Sequence, residues 1–146
     1  MKQVLCILAM LTLSLTTTAC RSTGAKELKM LAGTWQPVEA ELGGQKFPDE
    51  ILRTMKLTMS DDRYTVNAGG QVDSGTFKLQ PSTTPKAIDI TGTEGPNEGK
   101  TFLAIYQLQG DTLLVCYDLA GQQRPAEFKT AKDTQQFLVS YQREKN

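Results

Sequence analysis

From Thr34 to Arg143 the chain alternates short apolar runs with turn-forming residues, and many apolar positions recur at every second residue. That period marks half-buried strands. Met55, Leu57 and Met59 alternate with Lys56 and Thr58; Tyr64 with Val66, Phe77 with Leu79, and Ile88 with Ile90 repeat the pattern. Gly43-Gly44, Asp61-Asp62, Gly69-Gly70, Pro81–Pro85 and Gly110-Asp111 punctuate these runs. Short strands broken by turns at such intervals predict a sandwich or barrel. The first strand is expected at Thr34–Glu41, followed by a hairpin at Gly43-Gly44. Pro48–Arg53 reads as a helical turn, with Pro48 at its start and Asp49 and Glu50 early. Thr101–Gln109 and Thr112–Tyr117 flank Gly110-Asp111 and are partly apolar on both faces, which predicts a central hairpin. Phe128 is expected to begin an edge strand, and Phe137–Arg143 to close the sheet. Gly92–Lys100 reads as the longest irregular loop, a lid or a plain connection; Leu119–Ala126 is a second loop. Ala25–Ala32 suits a short helical turn with Leu28 and Leu31 on one face. The expected fold is all-β: an antiparallel up-and-down barrel of about eight strands, because closure removes exposed edges. Met55, Leu57, Phe77, Ile105 and Val115 are the expected interior.

The first residues follow a different pattern. Met1-Lys2-Gln3 is basic, Val4–Leu15 carries no charge, and Thr16–Ala19 are small. This is the layout of a secretory signal. The apolar run is shorter than the ~20 residues a spanning helix needs. Small residues followed by Cys20 resemble the lipobox of bacterial lipoproteins. The resemblance implies cleavage before Cys20 and acylation of its thiol and new amine. Thr17 stands where the lipobox carries Leu, and Thr17 with Ala19 also suits an ordinary signal-peptidase cut. The expected organisation is a signal at 1–19, a lipidated tether at 20–27 and one barrel domain at 28–146. Expected placement is extracytoplasmic, in the cell envelope, with a membrane held through the lipid. Arg21 leaves no acidic retention residue after Cys20, so the outer membrane is favoured in a host with two.

Composition narrows the chemistry. There are 16 basic and 16 acidic side chains and no histidine. A balanced charge offers no excess for phosphate contacts, so nucleic acid is not an expected partner. Without imidazole, Ser-His-Asp and Cys-His catalysis and most catalytic zinc sites are excluded. Of three cysteines, Cys6 lies in the signal and Cys20 is the lipid site. Cys116 sits in the apolar run Leu113–Tyr117, where a buried thiol is expected. A Cys20–Cys116 bridge stays open if Cys20 carries no lipid. No catalytic residue, metal or cofactor is expected, and the domain is expected to be monomeric.

Gly33-Thr34-Trp35, after a short helical turn and opening the first strand, resembles the Gly-x-Trp signature of lipocalins. That resemblance implies a Trp across the closed end of the barrel, covered by a basic residue from the last strand, here Arg143. A wider set of segments is similar to a family of lipocalin-like domains abundant in planctomycete bacteria. They are Leu31–Trp35, Asp62–Thr65, Ser74–Phe77, Thr84–Asp89 and Ile105–Leu113, with Arg124-Pro125 and Phe128. The likeness implies a fold and no particular activity. Tyr106, Tyr117 and Arg124 are the candidate ligand or loop residues. Tyr106 and Tyr117 offer hydroxyls to a cavity or line a core; Arg124 meets an anion or fixes its loop, with Asp89 as a partner. Two readings follow: a barrel binding a small apolar or amphipathic molecule, and a solid barrel whose loops bind or inhibit an envelope protein. A third, an enzyme using paired carboxylates, needs two acids converging in one cleft.

Overall fold

The computed structural model describes residues 18–145. The elements are α1 (Thr18–Leu31), β1 (Gly33–Leu42), β2 (Gln45–Lys46), α2 (Asp49–Leu52), β3 (Met55–Ser60), β4 (Arg63–Ala68), β5 (Gln71–Gln80), β6 (Ala87–Glu94), β7 (Thr101–Gln109), β8 (Thr112–Asp118) and β9 (Gln136–Arg143). The expected signal at 1–19 lies outside the described residues except for Thr18 and Ala19, which open α1 together with Cys20.

From β3 to β9 each strand pairs antiparallel with the next, β3 pairs with β1, and β1 pairs with β9 from Trp35↔Arg143 to Leu42↔Phe137. The result is a closed barrel of eight strands, with the short β2 folded back on the end of β1. Register carries one apolar face around the whole circumference. Leu57 faces Val66, Phe77 faces Ile90, Ile90 faces Phe102, Tyr106 faces Val115 and Val115 faces Val139. Directly opposed residues share a face of the sheet, so this set lines the interior. Closure also answers the expected central hairpin: β7 and β8 have neighbours on both sides, as every strand of the barrel does.

Four expectations change. Phe128 lies in an irregular stretch, and β9 begins only at Gln136. The residues around Phe128 cannot extend the sheet because β9 already pairs with both β8 and β1. Among the described residues the longest irregular segment is therefore 119–135 rather than Gly92–Lys100, since β6 runs on to Glu94. Ile105 points outward: its neighbours Ala104 and Tyr106 take the inner positions. The N-terminal helix is also longer than the expected turn, and Glu27, placed in the tether, is buried in the barrel base.

The outward apolar face of β6–β8 explains the long segment. Ala87, Ile105 and Cys116 are each at most 2% exposed yet stand outside the central core. The 119–135 segment folds over them. The Cys116 thiol donates to Lys129 O at 3.5 Å, and burial pushes its pKa up. Arg124 pins the segment to the wall through Ile88 O, Ala104 O and the Asp89 carboxylate. Asp118 starts it, accepting the backbone N–H groups of Ala120, Gln122 and Gln123.

Candidate functional site

The two ends of the barrel differ. At one end lie α1, the Asp61-Asp62 turn, the 81–86 loop and the Gly110-Asp111 turn; at the other lie β2, α2, the Gly69-Gly70 turn, the 95–100 loop and the 119–135 segment.

The α1 end is sealed. A helix leaves its last carbonyls without partners inside the helix, and here the barrel supplies them. Trp35 Nε1 donates to Leu31 O at 2.9 Å, while Arg143 donates to Ala32 O at 2.6 Å and Met30 O at 2.5 Å. The guanidinium carbon lies 4.1 Å from the Trp35 ring centre, within cation–π range. Asp111 holds the other side of Arg143 at 3.3 Å. Gly33 is needed for this stack. Its φ is +135°, and a Cβ there would come within 2.7 Å of Arg143 Nη1. The Gly-x-Trp spacing thus has a physical reason: glycine admits the arginine, and the indole two residues on lies beneath it. Deeper in, Glu27 of α1 pairs with Lys86 and accepts from the Tyr106 hydroxyl at 3.2 Å.

Above this floor the barrel is hollow. A cavity of about 460 Å³ runs from Leu31 and Tyr106 at the base to Ala68, Gln71, Pro96, Asn97 and Lys100 at the opposite rim. That volume lies within the range of small-molecule sites, about 300–1,000 Å³. The walls are mainly apolar, including Met55, Val66, Phe77, Ile90 and Val115. The rim residues Ala68, Gln71, Pro96 and Lys100 are exposed, which makes that end the mouth.

One carboxylate belongs to the cavity wall among the described residues, that of Asp73. It points inward because its partner across β4–β5 is Val66. Asp73 accepts from the Tyr64 hydroxyl at 2.9 Å and from Asn97 N at 3.0 Å. The first bond fixes a phenol in the wall; burial, then the Asp73 bond and charge, push the Tyr64 pKa up. The second bond ties the 95–100 loop to β5. That loop also bonds to itself, with Gly92 N to Lys100 O and Gly99 N to Gly92 O both at 3.0 Å. Gly75 lets Tyr64 lie flat on the sheet: a Cβ there would fall 2.7 Å from Tyr64 Cε1 and 2.0 Å from Thr91 O.

The sequence-derived residues therefore divide. Gly33, Trp35 and Arg143 meet at the base. Tyr106 and Tyr117 reach the cavity, and the Tyr117 and Tyr141 hydroxyls are 3.3 Å apart. Arg124 does not reach it; it lies outside the wall with Asp89, the partner the sequence suggested. Glu27, Asp73 and Tyr141 escaped sequence reasoning. Asp73 could have been found from its parity with Gly75 and Phe77 on β5, an acid on an apolar face.

No protein-family model matches the chain, and no curated protein sequence matches it. Among solved structures it is similar to the crystal structure of a DUF4847 family protein from Bacteroides vulgatus. The two are 15% identical with a TM-score of 0.50, over 83% of this chain and 99% of that one. At this identity the likeness is one of fold.

Proposed function

We propose that this chain is an exported, lipid-anchored barrel that holds a small apolar or amphipathic molecule inside its walls. The observation that carries the reading is the cavity of about 460 Å³, sealed at the α1 end and open at the other. A solid interior would instead have favoured a module acting through its loops. Export and anchoring rest on the signal layout at 1–19 and on Cys20 after Ala19. In that arrangement the mature chain begins at Cys20, within α1, on the sealed side of the barrel.

Ligand uptake is tested with a neutral fluorophore, N-phenylnaphthylamine, titrated into the purified chain. Saturable one-site enhancement is expected. Ala68→Trp places an indole at the mouth on an exposed position, so it should weaken uptake about tenfold, equivalent to 1.4 kcal/mol, with little change in stability. Absence of saturable uptake, or equal uptake by the variant, would sink the ligand reading. Anchoring is tested by mass spectrometry of the native protein. The expected species begins at an acylated Cys20; a mature chain with a free Cys20 thiol would remove the anchor.

A further inference from the structure

We infer that the cavity's ligand is a neutral, elongated apolar molecule bearing one hydrogen-bond-accepting oxygen, of the ketone or ester kind, and that the Tyr117–Tyr141 pair reads that oxygen. The inference rests on the cavity being a ligand site and adds the chemistry of the ligand.

The ground is a proton count. The chain has four tyrosines, and all four line the cavity. A phenol carries one proton to donate. Tyr64 spends its proton on Asp73, and Tyr106 on Glu27. Tyr117 and Tyr141 lie hydroxyl to hydroxyl, so one donates to the other. Whichever does so, the other is left with a proton and no acceptor among the described residues. Both rings line the cavity, so whichever phenol keeps its proton lies on the cavity wall. A group entering the cavity either accepts that proton or displaces whatever does, and displacement without replacement weakens binding.

The surroundings select the kind of acceptor. An anion entering the interior would find Lys100, at the exposed rim, as the one basic residue of the lining among the described residues, and Asp73 would repel it from the wall. A cation would look to Asp73, whose two oxygens already accept from Asn97 N and Tyr64. A pure hydrocarbon would leave the phenol proton unpaired. A neutral carbonyl meets the donor without bringing charge into apolar walls. Burial pushes the Tyr141 pKa up to about 12 and that of Tyr117 well above its ordinary value, so both phenols keep their protons at ordinary pH.

The test is displacement of bound N-phenylnaphthylamine by methyl nonyl ketone, undecane and undecylamine, which share a carbon count. One hydrogen bond predicts that the ketone competes about three- to tenfold better than the alkane. Replacing both phenols, Tyr117→Phe with Tyr141→Phe, should bring ketone and alkane together. Equal competition by the two in the unaltered chain would overturn the inference without needing a variant. So would a ketone preference that survives the double replacement, or an advantage for the amine, which would point to Asp73. These failures leave the fluorophore bound and the cavity reading intact. If the fluorophore itself is not taken up, the ligand reading falls, and this inference with it.

Discussion

Replacing Trp35 with Ala lowers the free energy of unfolding by about 3–5 kcal/mol, the range for deleting a large buried aromatic. Natural domains hold about 5–15 kcal/mol in total, so the variant sits near the limit of folding. Trp35 is 0% exposed. Its loss opens a void at the sealed end, removes the donor to Leu31 O, and takes away the ring beneath Arg143. Arg143→Met keeps much of the apolar stem and loses the two bonds to Met30 O and Ala32 O, so it should cost less, about 1–3 kcal/mol. The two effects should not add, because both residues serve one stack. Denaturant unfolding followed by far-ultraviolet circular dichroism measures this; the chain has a single Trp, so indole fluorescence disappears with the substitution. A loss under about 1 kcal/mol for Trp35→Ala would contradict its role as the floor of the barrel.

The second large effect concerns Asp118. Its buried carboxylate accepts from three backbone N–H groups, at 3.1, 2.8 and 2.7 Å. Asp118→Ala leaves those donors to find water and releases the start of the segment that covers Cys116. A loss of about 2–3 kcal/mol is expected, since bonds to a charged acceptor are worth about 1.5–3 kcal/mol each and solvent recovers part. The Cys116 thiol, with Cys6→Ser and Cys20→Ser in the background, should react faster with a disulfide reagent. An unchanged rate would mean that the segment stays closed without Asp118.

The same carboxylate gives an acid dependence. Burial alone would raise its pKa, but the three N–H donors outweigh burial and hold it below the ordinary 3.8. A carboxyl held low binds fewer protons folded than unfolded. Its contribution is therefore complete above the unfolded value and fades as pH falls through the lower folded one. Asp118→Ala should flatten that part of the acid unfolding curve.

Much of the barrel was legible in the order of residues. Where one face of a strand is polar, alternation fixes which side turns inward. Met55, Leu57 and Met59 of β3 are partly or fully buried, with Lys56 and Thr58 exposed between them. Gly33 and Trp35 were legible as a signature, and β9 was expected to end at Arg143. Asp89 was legible as a partner for Arg124 from its charge and its place beside the apolar face of its own strand, and the two are paired.

Where both faces are apolar, alternation carries no sign. On β7, Phe102, Ala104 and Tyr106 compete with Leu103 and Ile105 for the interior. Register decided between them, because Ala104 lies opposite Ile88 while Ile105 lies opposite the outward Cys116. Phe128 failed as a strand residue for a related reason. A closed sheet has no free edge, and propensity for a strand is of no use without a partner.

The sequence by itself determined the strands, the turns between them and the glycine–tryptophan pair at the base, because these depend on neighbours a few positions away. Only the tertiary structure decided that the barrel is hollow, that Asp73 and all four tyrosines reach its cavity, and that 119–135 covers an outer apolar face. Each of these depends on distances across the barrel or over its wall, between side chains far apart in the chain, and no local pattern encodes such distances.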